Sequence, residues 1–221
     1  MMRTSNTSLQ DFQIFNLYNS IKEKIEERLK EFEEIWKNGS DEKLFEELVF
    51  CLLTPQTKAL DCQRAVNILK EKKLLFSGSK EEISKEINFI RFKNHKAEYI
   101  VLAREFFFKE KKWLLREFLT SFDDERILRE ELVKKIKGIG LKEASHFLRN
   151  IGRSKNLVII DRHILRCAKK YKIIKKIPKT ISKKVYYEIE RKILDFSKKI
   201  KIKPNHLDFL FWQDSNKYFF K

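Results

Sequence analysis

The chain has 221 residues, and its 49 lysines and arginines against 32 aspartates and glutamates give a formal net charge of +17. Hydrophobic residues make up 42% of the sequence, which is enough to bury a core and argues against wholesale disorder. With only 5 glycines and 3 prolines, the chain lacks the many tight turns that β-sandwiches and barrels need. We expect an all-α protein.

Apolar residues recur at helical spacing along nearly the whole chain. Ser40 is placed to cap one helix, and Ser79 with Glu82 three residues later has the pattern of a capping box. The predicted helices cover residues 17–36, 41–53, 58–71, a short stretch after 79, 94–109, 113–120, 123 or 124 to 136, 141–150, 162–170, 180 or 182 to 199, and 204–212.

The sequence does not predict membrane insertion or a disulfide framework. Its first residues lack the apolar stretch of a signal peptide, and the apolar run 48–53 is too short to span a bilayer. Cys51, Cys62 and Cys167 are an odd set without CxxC spacing, which also argues against a four-thiolate metal site. We expect a cytoplasmic protein without membrane contact.

The surplus of positive charge favours a polyanionic partner, because each lysine or arginine that faces a phosphate releases condensed counterions. The alternative is a thermophilic or compositionally biased proteome, in which lysine and glutamate are abundant everywhere. Charge alone therefore does not name a function.

A short turn between two predicted helices, Lys137-Gly138-Ile139-Gly140, is the most informative segment. Gly138 and Gly140 allow positive φ and leave backbone N–H groups uncovered at a helix N-terminus, which favours a bound phosphate. The alternative is a helical hairpin without a ligand. Lys142 follows in the first turn, where a cation opposes the helix dipole. It is either a solvated lysine or an amine placed to form a Schiff base.

Asp161 follows four consecutive apolar residues, 157–160, and precedes a predicted helix. It is either a simple N-cap or a carboxylate held rigidly at the mouth of a site.

Together these residues resemble the helix–hairpin–helix DNA glycosylase superfamily. Its members carry L-P-G-V-G-x-K and V-D-x-H, which K-G-I-G-L-K and V-I-I-D-R-H match here, with Asp161 19 positions after Lys142. The segments L-L-T-P-Q-T and F-K-N-H-K-A, around Gln56 and Asn94, are similar to two further family segments. Lys137 departs from the family, in which proline is common at that position.

The absence of cysteine after Cys167 distinguishes this chain from the iron–sulfur branches of the superfamily. The chain is most similar to the type 2 8-oxoguanine DNA glycosylase/AP lyases of archaea and thermophilic bacteria. That resemblance implies two helical subdomains flanking a DNA-binding cleft, one at roughly 45–130 and the other at roughly 1–40 and 131–221, the latter carrying the hairpin, Lys142 and Asp161. It implies no cofactor, although the family's hairpin can hold a monovalent cation.

The resemblance also implies the chemistry and the site. Lys142 would attack C1′ of the nucleotide, and Asp161 would stabilise the positive charge that develops on the sugar. The partner would be duplex DNA containing an oxidised guanine, bound by a monomer. The implied DNA contacts are Gly138, Gly140, His163, Gln56, Asn94 and Lys96, and the implied base contacts are Trp212, Asp208 and Lys221.

Several alternatives remain at this point. Trp212 could be an ordinary core residue, and Lys221 could belong to a disordered terminus. The same lysine and aspartate would also serve a glycosylase for another lesion, such as an oxidised pyrimidine or a mismatched T or U. A non-catalytic module could use the hairpin for phosphate binding alone.

Overall fold

A computed structural model describes residues 9–216 of the chain, which form helices and one small β-hairpin. In chain order the elements are α1 (Leu9–Asn38), α2 (Asp41–Leu53), α3 (Ala59–Glu71), α4 (Leu74–Ser77), α5 (Lys80–Glu86), α6 (Lys93–Phe107), β1 (Phe108–Lys109), β2 (Lys112–Trp113), α7 (Leu115–Thr120), α8 (Glu125–Lys135), α9 (Leu141–Asn150), α10 (Arg162–Lys170), α11 (Lys183–Ile200) and α12 (Pro204–Asn216). The expected all-α class is confirmed.

Most predicted helix starts lie where the local capping signals put them. The side chains of Ser40, Asp124 and Ser182 each accept a hydrogen bond from a backbone N–H in the first turn that follows. Ser79 and Glu82 form the complete capping box that opens α5. Each of these caps pairs a backbone donor that would otherwise lack a partner within the helix.

The β-hairpin is a difference from the sequence prediction, which had helices over 94–109 and 113–120. Helix α6 ends at Phe107, and β1 pairs with β2 in antiparallel fashion, with Phe108 opposite Trp113. Glu110 and Lys111 both have positive φ, 51° and 63°. Two consecutive left-handed residues form the tight turn that matches the twist of two paired strands.

The described residues form two compact units, and helix α1 contributes residues to both. We call residues 32–154 the hairpin unit and residues 9–31 with 155–216 the aspartate unit. This division differs from the expected one: residues 131–154, with the hairpin and Lys142, group with 45–130 and not with the C-terminal segment. The physical reason is that α9 packs against both α8 and α2.

The hairpin unit is organised around α2, which packs against α3, α6, α7 and α9. All residues of α2 from Leu44 to Leu53 are buried. A helix surrounded on several sides needs apolar residues all round, which explains the uninterrupted run at 48–53.

In the aspartate unit, α12 packs against α10 and α11. Phe209 and Phe211 of α12 are almost fully buried, and the ring of Phe211 stacks on Tyr171 with centroids 5.6 Å apart. Within the part of the chain that the structure describes, no helix is both long and apolar enough to cross a membrane.

Candidate active site

The turn between α8 and α9 requires glycine at position 138 for two independent reasons. Gly138 has a φ of +89°, in the left-handed region that L-residues rarely adopt. A Cβ atom at this position would also overlap the ring of Tyr99, which belongs to α6. The ring thus covers the turn, and only a residue without a side chain fits beneath it.

Gly140 does not have the conformation that the sequence suggested. Its φ is −103°, outside the left-handed region, and its N–H is not uncovered: it donates to Oε2 of Glu143 over 3.2 Å. Glu143 therefore supplies one half of a capping box at the start of α9, because Gly140 has no side chain to accept the reciprocal bond. The first-turn N–H groups of Leu141 and Lys142 remain the donors that a helix N-terminus offers to a phosphate.

Lys142 extends from the first turn of α9 and is held by two partners. Its Nζ donates to Oγ1 of Thr54 over 3.0 Å and lies 3.2 Å from Oε1 of Glu143. The side chain of Lys142 is 24% exposed, so it is not the fully solvated surface lysine that was the alternative. A single carboxylate, Glu143, thus contacts the candidate nucleophile with one oxygen and the turn of the hairpin with the other.

Lys96 is buried, which corrects its assignment as a direct DNA contact. Only 3% of the residue is exposed, and Nζ donates to Leu53 O over 2.7 Å, Pro55 O over 2.8 Å and Thr57 Oγ1 over 2.8 Å. An ammonium group has three donors, and all three have protein acceptors here. Lys96 therefore binds the loop that follows α2.

Burial lowers the pKa of Lys96 to about 8, because a charged amine is poorly solvated there. The positive charge of Lys142 lowers this pKa further, while Cys62 and Glu143 oppose the shift. Burial also raises the pKa of the Cys62 thiol to about 12, against the effect of both lysines. The candidate nucleophile is therefore close enough to Lys96 for their charges to interact.

The other predicted contacts of the hairpin unit lie on its surface. Gln56, in the loop after α2, is exposed and has a φ of 54°. Asn94, in the first turn of α6, is exposed, and its Oδ1 accepts a hydrogen bond from the hydroxyl of Ser84. Both side chains are therefore on the surface of this unit, and their contact with DNA stays a prediction.

In the aspartate unit, Asp161 is the N-cap of α10, as one of the two interpretations predicted. Its Oδ1 accepts from the N–H groups of His163 and Ile164, both over 2.8 Å. A carboxylate has two oxygens, and the cap uses one of them. The cap is therefore compatible with an electrostatic role for the same group.

The apolar run before Asp161 lies outside the helices and is hydrogen-bonded to α11. Val158 N–H donates to Glu190 Oε1 over 3.1 Å, and the hydroxyl of Tyr186 donates to Val158 O over 2.6 Å. These bonds pair backbone groups that would otherwise be buried without partners. They also fix the backbone three residues before the carboxylate.

His163 and Trp212 lie together, with ring centroids 4.7 Å apart and planes inclined by 36°. The Ser215 hydroxyl lies 3.3 Å from Nδ1 of His163, which leaves Nε2 as the ring nitrogen for a further partner. Trp212 is half-buried, whereas Asp208 is buried with 4% exposure. Lys221 lies outside the described residues.

Sequence reasoning missed Thr54 and Glu143. The glutamate had a usable signal, because a residue of this type three positions after a helix N-cap is the mark of a capping box. The threonine had none, because its contact with Lys142 spans 88 positions. Among the described residues, no three His, Cys, Asp or Glu side chains are grouped so that they could hold a metal ion.

A family model described as 8-oxoguanine DNA glycosylase, Ogg-HhH, matches residues 25–202. The chain belongs to this family. The 8-oxoguanine DNA glycosylase/AP lyase of Fusobacterium nucleatum subsp. nucleatum is 41% identical over 209 residues, which cover 95% of this chain and 96% of that protein.

Two solved structures of the family are also similar. The 8-oxoguanine glycosylase/lyase of Methanocaldococcus jannaschii, in complex with a 15mer DNA containing 8-oxoguanine, matches with a TM-score of 0.87 and 37% identity. That match covers 97% of this chain and 100% of the other. The 8-oxoguanine DNA glycosylase of Thermotoga maritima matches with a TM-score of 0.83 and 31% identity, covering 96% and 98%.

Proposed function

We propose that this chain is a bifunctional 8-oxoguanine DNA glycosylase and AP lyase. The observation that carries the proposal is Lys142, at the start of α9 in the hairpin, with its amine bound to Thr54 and Glu143. The family membership and the relatives' names support the same activity.

Lys142 is the proposed nucleophile. The lone pair of its neutral amine forms a bond to C1′ while the C1′–N9 bond breaks, and the departing base keeps that electron pair and takes up a proton. The nitrogen loses a proton, and its lone pair forms a C1′=N double bond while the C1′–O4′ bond breaks and O4′ takes up a proton, which gives an imine. Removal of a C2′ proton then forms a C1′-conjugated C2′=C3′ double bond as the C3′–O bond breaks, and the departing phosphate keeps that electron pair, which nicks the strand.

Asp161 is proposed to stabilise the positive charge that develops on the sugar as the base leaves. A carboxylate that is already oriented by two backbone N–H groups pays no further ordering cost during the reaction. The base itself must first leave the duplex stack, at a cost of a few kcal/mol.

DNA binding is proposed to use the N-terminus of α9, next to Gly138 and Gly140, together with His163, Gln56 and Asn94. Trp212, Asp208 and Lys221 are proposed to contact the base; an exposed aromatic face contributes about 1–3 kcal/mol per stacked base. Asp208 would need its surroundings to open, because it is buried. We further propose that the enzyme acts as a monomer in the cytoplasm, on the nucleoid.

Borohydride trapping on duplexes that each carry one defined lesion tests this function. We expect a covalent adduct with 8-oxoguanine opposite C for the unmodified protein and none for Lys142→Gln. Trapping with an oxidised pyrimidine or a mismatched T or U, but not with 8-oxoguanine, would favour the other-lesion alternative. DNA binding without excision or trapping on any duplex would favour a non-catalytic module.

A further inference from the structure

The buried ammonium of Lys96 donates its hydrogen bonds to acceptors in one short segment. Its three acceptors are Leu53 O, Pro55 O and Thr57 Oγ1. A lysine ammonium is costly to bury, and the cost is offset only when its donors are paired. Here the paired acceptors span five consecutive residues, 53–57, which we call the Lys96 loop.

The Lys96 loop has a conformation that needs support. Gln56 has a φ of 54°, which costs energy for a residue with a side chain. Thr57 N–H donates to Thr54 O over 3.1 Å, so the loop is one tight turn. The ammonium of Lys96 contacts the loop before and after the left-handed residue, at Pro55 and Thr57, and thereby holds both sides of it.

Thr54 connects this loop to the candidate nucleophile. Its Oγ1 donates to Cys51 O over 2.8 Å and accepts from Nζ of Lys142 over 3.0 Å. The hydroxyl is thus oriented by its own donor bond, and its lone pair faces Lys142. A change in the path of the Lys96 loop would therefore move an acceptor of the nucleophile.

The groups whose charges act on Lys96 belong to the same part of the hairpin unit. Cys62 of α3 and Lys142 and Glu143 of α9 all influence the pKa of Lys96. Lys96, the Lys96 loop and the candidate nucleophile are therefore neighbours within one unit.

We propose that Lys96 is a positioning residue for the excision reaction: it fixes the Lys96 loop, which places Thr54 against Lys142. The inference rests on the proposed function, because it takes Lys142 as the nucleophile. It replaces a direct DNA contact with an effect exerted through a loop.

Two substitutions at Lys96 and one in the Lys96 loop test the geometric effect. Lys96→Met keeps the length of the side chain and removes both the donors and the charge. Lys96→Arg keeps the charge, but its planar guanidinium does not match acceptors arranged around one ammonium. Thr57→Val removes one acceptor from the loop and leaves both lysines in place.

Lys72→Met is the matched control, since it also removes one cation from the hairpin unit. Lys72 follows α3 and lies ten positions after Cys62, about 15 Å along the helix at 1.5 Å per residue. Its ammonium pairs with Glu86 over 2.7 Å. We expect this variant to match the unmodified protein in every measurement below.

The experiment measures single-turnover excision of 8-oxoguanine at saturating protein and, separately, the affinity for the same duplex, at a temperature at which circular dichroism shows each variant to be folded. We expect Lys96→Met to slow excision by about 10- to 100-fold, the loss that a displaced catalytic group causes. We expect its DNA affinity to stay close to that of the unmodified protein, because the buried ammonium has no donor left for a phosphate. Lys96→Arg should also slow excision, and Thr57→Val should slow it to a lesser degree.

Folded Lys96→Met with the excision rate of the unmodified protein would overturn the inference. A loss of DNA affinity as large as the loss of rate would also overturn it, because a lysine that contacts DNA directly would behave in that way. Both outcomes differ from a failure of the proposed function. In that case the unmodified protein itself would neither excise 8-oxoguanine nor form an adduct that depends on Lys142.

Discussion

At the scale of single residues, Glu143 is unusual because its two carboxylate oxygens have different partners. Oε2 accepts from Gly140 N–H, and Oε1 pairs with Lys142. The first contact is a helix cap, and the second is an interaction with the proposed nucleophile. Substitutions that keep one contact and remove the other distinguish the two effects.

We predict that Glu143→Gln retains the cap through its amide oxygen but loses the negative charge beside Lys142. The rate of borohydride trapping should then fall, because the amine of Lys142 loses one of the two partners that hold it. Glu143→Ala, the control, should also lose about 1 kcal/mol of stability in urea denaturation, because the cap is lost. Equal trapping rates for Glu143→Gln and the unmodified protein would contradict the prediction.

Asp161 allows a similar separation in the aspartate unit. Asn caps a helix about as well as Asp, so Asp161→Asn should change stability by less than about 0.5 kcal/mol. DNA binding should stay largely intact while turnover collapses, because the charge that stabilises the sugar cation is lost. Binding measured by fluorescence anisotropy and excision measured by gel assay test this. If binding falls as much as turnover, the aspartate is merely structural.

The sequence identified Lys142 and Asp161 because both lie within short, recognisable segments. The contacts of Thr54 and Glu143 and the burial of Lys96 were not predicted from such segments. The three acceptors of Lys96 are 39 to 43 positions away in the chain, and no local pattern shows that an ammonium will meet them. A lysine in a family segment of a basic protein was therefore assigned to DNA, whereas the fold buries it.

At the scale of elements, the caps were predictable and the β-hairpin was not. Ser40, Ser79 and Asp124 act within one helical turn of their own positions, so the local sequence is sufficient. The turn at Glu110 and Lys111 lacks the Asn-Gly or Gly residues that usually mark two left-handed positions. With ordinary helix formers at the turn, the sequence pattern predicted helices on both sides.

The turn between α8 and α9 should respond very differently to alanine at its two glycines. Gly138→Ala combines a positive φ with overlap of the Tyr99 ring, and we expect a loss of about 2–4 kcal/mol. Gly140→Ala should cost less than about 1 kcal/mol, because φ is ordinary and the new Cβ would meet only Glu143 Oε2 at 3.1 Å. Urea denaturation of both variants measures the difference. Equal losses would contradict the geometry of this turn.

Helix α12 should make the stability of the aspartate unit depend on pH. Burial, and secondarily Lys203, lower the pKa of His206, whose Nδ1 lies 3.1 Å from the hydroxyl of Tyr18. The unfolded chain therefore binds a proton more readily than the folded one, so stability is lost as pH falls below the unfolded value of 6.5. We expect the melting temperature to drop between about pH 7.5 and 5.5, and to drop less in His206→Gln. The same drop in both proteins would exclude this histidine as the cause.

At the scale of the whole molecule, the net charge of +17 is unevenly distributed along the chain. Residues 162–187 contain 10 lysines and arginines and no aspartate or glutamate. The lysines at 172, 175, 176 and 179 are all exposed. The sequence left open whether the surplus charge serves DNA or reflects composition, and this segment is where the question can be tested.

We predict that replacing Lys172, Lys175, Lys176 and Lys179 together by glutamine makes DNA binding less dependent on salt. The slope of log affinity against log salt should fall by about 0.9 for each lysine that neutralises a phosphate. The excision rate at saturating protein should not change, because the reacting groups are untouched. Anisotropy titrations over a range of salt measure the slope, and four exposed lysines of the hairpin unit provide a charge-matched comparison. An unchanged slope would show that these lysines reflect the composition of the protein and do not neutralise DNA phosphates.

Helix α1 has a consequence for the order in which the protein forms during synthesis. Only its last residues, 32–38, belong to the hairpin unit, whose residues 32–154 are contiguous in the chain. The aspartate unit instead combines 9–31 with 155–216. On a ribosome, which releases the chain from its N-terminus, the residues around Lys142 can fold before the aspartate has been translated. Residues 9–31 must wait for their partners, so the nascent chain carries the proposed nucleophile for some time before it carries Asp161.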